Sequence, residues 1–298
     1  MSGQSSKSIH IAYDEFGDPD GPAVVLIMGL YCQLIDWPEL FCQKIAEAGY
    51  RVIRFDNRDI GLSTHLDHIP PPSLAAYGLS MAWGLSVPAP YDLDDMADDV
   101  LGLMAALKID QAHLVGSSMG GVIAQIVAAD HPERVCSLCC LSSTTGNPLL
   151  PPPHWRVLQL ITSPSFVFSD SGHQQKLELM RLLMSPAYKK SDTELRTWIA
   201  EREQRSPDSQ GVSRQLAASL HTGNISSRLK NIRTPTLVLH GDSDPLVPYT
   251  SGQDIARKIE TACFELIEGW GHDFPEELAE PLAEKILAHL NSSPCRMD

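Results

Sequence analysis

A chain of 298 residues, 43% hydrophobic and 20% charged, is long enough to bury roughly 75% of its unfolded surface, so a core needs no staples and disorder is excluded. The 23 Lys and Arg against 37 Asp and Glu leave a net charge of −14, which repels phosphate backbones and anionic lipid. The densest basic residues, Arg51, Arg54 and Arg58, are interrupted by acids, so nucleic acid is not an expected partner.

Residues 1–7 are polar and lead into no apolar region, which predicts no secretory signal and a cytoplasmic location. The pattern then alternates between strand and helix. Strands are expected at 9–16, 23–28, 51–55, 113–115 and 135–141, and helices at 37–48, 93–107 and 122–129. The apolar stretch at 23–28 is far short of a membrane span. Acids at 92, 94, 95, 98 and 99 fall mainly opposite the apolar stripe of their helix and read as a solvated helix start, not a cation site. After Thr145 the chain becomes proline-rich and then irregularly helical. Strand and helix return at 236–240, 252–259, 263–267 and 278–290. This order predicts an α/β fold: a mostly parallel central sheet with helices on both faces, in which 1–145 and 225–298 form the core and 146–224 a helical cap or lid.

Seven cysteines (32, 42, 136, 139, 140, 263 and 295) lack zinc spacing. Cys136 and Cys139 sit in an apolar run and read as buried strand residues instead of a redox pair. Cys295-Arg296-Met297-Asp298 does not suit a prenylation box.

Gly116-Ser117-Ser118-Met119-Gly120 is a G-x-S-x-G pentapeptide between a strand and a helix, the setting a strained strand-to-helix turn requires. A serine hydroxyl needs an imidazole to take its proton. His272 follows the last strand in a glycine-containing loop, whereas His240 ends a strand and reads as buried, and His131 reads as a helix-end residue. The imidazole needs a carboxylate to hold its tautomer. Asp244, with Pro245 fixing the chain beyond it, is the candidate; Asp242 can simply cap its turn, and Asp273 would have to fold back on its own backbone.

The chain order Ser118, Asp244, His272 is that of the α/β-hydrolase fold. Leu26-Ile27-Met28-Gly29-Leu30, the loop from Phe55 to Ser63, Gly116–Gly121, His240–Pro245 and Gly271-His272 all resemble that superfamily. Met28-Gly29 and the Arg58-Asp59-x-Gly-x-Ser loop look like the branch containing aclacinomycin methylesterase and related bacterial carboxylesterases. The resemblance implies an oxyanion hole from the Leu30 and Met119 amides, the residue donating at 30 depending on loop conformation. Two departures stand out: Met28-Gly29 where His-Gly is common, and Asp59 where many relatives have Gly. Asp59 is expected to pair locally with Arg58 and brace the loop.

Serine at the elbow, where dehalogenases and epoxide hydrolases carry a carboxylate, favours acyl transfer. The expectation is a serine hydrolase of small carboxylic esters that works through an acyl-enzyme with no cofactor and no metal. Alternatives on the same triad are a proline-type aminopeptidase, a lactonase or a perhydrolase; another is a slow-turnover small-ligand receptor of the same fold. Nucleotide and zinc motifs are absent. Pro151, Trp155, Phe166, Phe168, Met180 and Met184 are read as lining a pocket or packing the cap, with neither favoured.

Overall fold

The computed structural model describes residues 9–71, 87–161, 173–207, 210–293 and 295. Residues 1–7, Phe166, Phe168, Arg296 and Asp298 lie outside them. A seven-stranded sheet runs in the order β1-β3-β2-β4-β5-β6-β7, with only β1 antiparallel to its neighbour. The strands are β1 (Tyr13–Phe16), β2 (Ala23–Ile27), β3 (Arg51–Phe55), β4 (Ala112–Ser117), β5 (Val135–Leu141), β6 (Thr236–Gly241) and β7 (Ala262–Ile267). The expected first strand is shorter than 9–16 because His10 and Ala12 bond to Asp56, Ser63 and Thr64 in the loop after β3.

Side chains alternate across β2. Ala23, Val25 and Ile27 join one apolar layer, while Val24 and Leu26 join the other. Against the first layer pack α2 (Leu93–Ala106), α3 (Met119–Asp130) and α8 (Thr250–Lys258); against the second pack α1 (Glu39–Glu47) and α9 (Ala279–Asn291). A parallel sheet covered on both faces reads as continuous apolar runs, which is why β2 and β5 are legible. The acidic start of α2 is partly a cap, with Asp92 accepting from the Asp95 N–H at 2.9 Å and Asp95 from the Asp92 N–H. Asp99 departs from the solvated reading: its carboxylate is buried against Arg58.

Between β5 and β6 lie α4 (Trp155–Ile161), α5 (His173–Leu183), α6 (Asp192–Arg205) and α7 (Gly211–Thr222). No helix among the described residues is long and apolar enough to cross a membrane. The chain leaves β2 toward β3 on one side and returns at β4 on the other. The carboxyl ends of β2 and β4 therefore flank a topological switch point, where α/β sheets open a crevice.

Candidate active site

Ser118 sits in that crevice, between β4 and α3. Its backbone adopts φ 53° and ψ −120°, a strained conformation for a residue with a side chain. The surroundings hold it there: Ser118 N–H donates to the Leu141 carbonyl at 2.8 Å, and Ser143 Oγ–H donates to the Ser118 carbonyl at 2.8 Å. Gly120 is required because a Cβ there would collide with the Ile27 carbonyl oxygen. Its absence lets α3 start directly against the end of β2. Gly29 faces Ser118 across the crevice, where a Cβ would sit 3.1 Å from Ser118 Cβ. Met119 opens α3, so its N–H has no acceptor one turn back in the helix. Leu30 lies one residue past Gly29 on the cavity wall.

Two loops bring the partners. Asp244, 8% exposed after β6, accepts the Leu246 and Val247 N–H groups at 2.9 and 2.8 Å on Oδ1. Its Oδ2 lies 2.6 Å from His272 Nδ1, and His272 Nε2 lies 3.0 Å from Ser118 Oγ. His240 is fully buried as expected, its Nε2–H donating to the Val247 carbonyl at 2.7 Å, and so steadies the Asp244 loop. Asp242 caps a turn by accepting the Gly269 N–H at 2.8 Å, and His131 caps the C-terminus of α3.

The electrostatics follow from this geometry. Burial opposes the His272 imidazolium, but the Asp244 carboxylate, with Asp273 beside it, outweighs burial and holds the pKa above the ordinary 6.5. Burial likewise raises Asp244, and the two facing histidines more than reverse it, so its carboxyl lies below the usual range. An imidazole poised between a carboxylate and a hydroxyl can take the hydroxyl proton and return it to a leaving group.

A cavity of about 160 Å³ opens over Ser118 and His272. Its core side carries Met28, Tyr31 and Phe274, and its far side Ile161, Leu179, Met180 and Trp198 from the helices between β5 and β6. Met180 thus lines the cavity, whereas Met184 packs on Leu177 and Leu195, and Pro151 and Trp155 are exposed.

The structure corrects two further expectations. Arg58 does not pair with Asp59; it binds Asp99 at 2.5 and 2.8 Å and lies over the Tyr91 ring. Asp59 instead accepts from Arg214 of α7 at 2.8 and 2.9 Å, both side chains fully buried. Asp59 has φ 69°, the conformation for which Gly is the natural occupant, so its side chain is tolerated in exchange for this pair. Cys136 does not stay a free strand residue beside the buried Cys139; it is disulfide-bonded to Cys295. Asp273, passed over as the carboxylate partner of His272, accepts the N–H and O–H of Ser185 instead. Ser185, Asp273, Tyr31 and Trp198 were not singled out as site residues by the sequence, because nothing in local spacing places the end of α5 against the loop after β7.

Two side-chain groups among the described residues have donors close enough for a metal ion, and the atoms of both are committed elsewhere. The Arg214 guanidinium joins Asp59 to Asp67, and the two sulfurs beside His113 are bonded to each other.

Residues 22–277 match the family model described as the alpha/beta hydrolase fold. The rhodomycin D methylesterase DauP of Streptomyces sp. (strain C5) is 29% identical over 301 residues, covering 93% of each chain. RutD of Variovorax paradoxus (strain S110), named as a proposed carbamate hydrolase, is 28% identical and covers 87% of this chain and 88% of its own. The meta-cleavage product hydrolase CumD of Pseudomonas fluorescens IP01 superposes with a TM-score of 0.76 at 20% identity over 96% of each chain, a likeness of fold. The sheet order, the strained turn at Ser118 and the match over most of the chain lead to one conclusion: the protein belongs to the alpha/beta hydrolase fold family.

Proposed function

We propose that the protein hydrolyses a small carboxylic ester through an acyl-enzyme. Ser118 Oγ attacks the ester carbonyl as its proton passes to His272 Nε2. Asp244 keeps the His272 Nδ1–H oriented and stabilises the imidazolium, and the amides of Leu30 and Met119 receive the oxyanion. His272 then protonates the departing alcohol. A water, deprotonated by the same nitrogen, cleaves the acyl-enzyme and restores Ser118. Residues 1–145 and 225–298 serve as the core that holds these groups, and 146–224 as the cap that closes the cavity.

The observation that carries this reading is the pair of distances at His272, 3.0 Å to Ser118 Oγ and 2.6 Å to Asp244, at the mouth of a largely apolar cavity. The methylesterase relative supports an ester, whose alcohol leaves more readily than an amine. The RutD relative supports a second reading, a carbamate cleaved by the same groups with His272 protonating a nitrogen.

Burst and steady-state release of p-nitrophenol from short-chain esters tests the proposal. The wild type turns the ester over, and Ser118→Ala lowers kcat by roughly four orders of magnitude or more. Absence of turnover by the wild type, or equal turnover by the variant, overturns it. Stoichiometric labelling by a fluorophosphonate without turnover identifies a receptor instead, and faster cleavage of carbamates than of matched esters selects the second reading.

A further inference from the structure

The loop that carries His272 is fastened from a side the proposed chemistry does not use. His272 N–H donates to the Leu183 carbonyl at 2.7 Å, at the last residue of α5. Gly271 N–H donates to Ser185 Oγ at 2.9 Å. Ser185 in turn donates both its N–H, at 3.0 Å, and its O–H to Oδ1 of Asp273. Trp270 Nε1–H closes the loop on the Asp273 carbonyl at 2.7 Å. The residues before and after His272 are therefore both tied to Ser185, which is fully buried and belongs to the segment between β5 and β6. Nothing in the core sheet makes these bonds.

Asp273 is more than a knot in this network. Asp273 lines the same cavity as Ser118 and His272. It is the next residue after His272, and its carboxylate favours the charged form of the imidazole. The charged groups that face Asp273 are His272 on its own loop and Lys190 on the segment leading into α6. Burial raises the Asp273 carboxyl, and the Ser185 bonds, Lys190 and His272 only partly offset that.

We propose that Asp273 is a positioning residue that couples the inserted helices to His272: through Ser185 it sets where the imidazole stands, and through its charge how readily the imidazole holds a proton. This rests on His272 being the general base of the reading above. The two contributions separate by substitution. Asp273→Asn keeps an oxygen for Ser185 but removes the charge, whereas Ser185→Ala keeps the charge and removes the hydroxyl that joins Gly271 to Asp273.

The sign follows from the charge. A carboxylate near an imidazolium stabilises it, so removing the carboxylate lowers the His272 pKa. In Asp273→Asn the acid limb of kcat/KM therefore moves to lower pH, by about half a unit for a second, more distant charge. The plateau falls by no more than about threefold. In Ser185→Ala the limb stays in place while kcat falls about tenfold, because a base misplaced by a fraction of an ångström loses rate steeply. Titration of the His272 imidazole C–H resonances by NMR reads the same shift without any substrate. It also separates this proposal from the ester reading, which the wild-type turnover tests. Circular dichroism and a urea midpoint check that both variants fold. An Asp273→Asn protein that folds and loses rate with an unmoved His272 titration has a structural aspartate only, and the proposal is overturned. It is overturned as well if Ser185→Ala retains wild-type kcat, or if Asp273→Asn does not fold while Ser185→Ala leaves both rate and titration unchanged.

Discussion

The helices α6 and α7 are fastened to the core by three arginines paired with aspartates, whereas α4 and α5 meet it through apolar side chains, backbone hydrogen bonds and the buried Ser185 just after α5. Arg202 binds Asp36, Arg205 binds Asp56 at 2.7 Å, and Arg214 binds Asp59. The three acids belong to the loops after β2 and β3. Gln33 and Gln215 add bonds to the Arg202 and Arg58 carbonyls at 3.1 and 2.7 Å. Burial lowers the Arg202 pKa to about 9, and its guanidinium lies 3.4 Å from the centroid of Trp198, a cavity residue. On the other wall Val157, Leu179 and Leu183 cluster against Leu246, with His154 N–H donating to the Pro245 carbonyl at 2.8 Å. Buried ion pairs contribute little net stability but penalise any arrangement that breaks them, so they fix geometry. Apolar contacts are non-directional and tolerate sliding. One wall is therefore set by the core whatever the site does, and the other ends on the loop that carries His272.

His272 is thus held by two groups, Asp244 in the loop after β6 and the Ser185–Asp273 knot at the end of α5. The sharpest test of that division is Asp244→Asn, for which kcat falls about 10⁴-fold with the wrong tautomer favoured. Asp244 holds the His272 pKa above its ordinary value, so the acid limb is expected to move to lower pH in the variant, where burial opposes the imidazolium with less compensation. A kcat loss no larger than that of Ser185→Ala would show that the core side is not dominant.

The charged wall is broken by Arg214→Leu. This leaves Asp59 buried and unpaired and costs about 3–5 kcal/mol, read as a lower urea midpoint. Adding Asp59→Gly removes the orphaned carboxylate and places Gly at φ 69°, so the double variant recovers most of the loss. Neither change is expected to move the acid limb, since the Arg214 guanidinium bonds Asp59, Asp67 and the Ile69 carbonyl, away from His272. The apolar wall responds differently. Leu179→Ala, at a residue 3% exposed that also lines the cavity, costs about 2–5 kcal/mol and raises KM as well. Stability loss with an unchanged KM would place Leu179 outside the binding surface.

The sheet was legible because its inner strands are buried on both faces and its helices carry apolar stripes, both local patterns. Ser118 was legible because its turn has a compositional requirement, and Asp244 because it stands further out in the loop than the turn-capping Asp242, with Pro245 fixing the chain beyond it. The walls were not legible. Asp59 meets Arg214 across 155 positions, and Cys136 meets Cys295 across 159, while the nearest opposite charge along the chain, Arg58, turns away to Asp99. A reading by spacing favours the adjacent partner. The folded chain selects the partner that lets both charges be buried, and that depends on where the helices between β5 and β6 land.

The weakest link between the two walls gives the smallest expected effect. Arg181 of α5 binds Asp192 of α6 across solvent, with side chains 38% and 57% exposed. Water and salt screen such a pair, and ordering two long side chains offsets most of its attraction. Arg181→Ala is accordingly expected to leave the urea midpoint, KM and the His272 titration where they are in the wild type. A shift in any of the three would mean that the walls communicate directly through this bridge. The position of α5, and with it Ser185, would then be governed by the arginine-fastened wall, and His272 would no longer be held independently by its two groups.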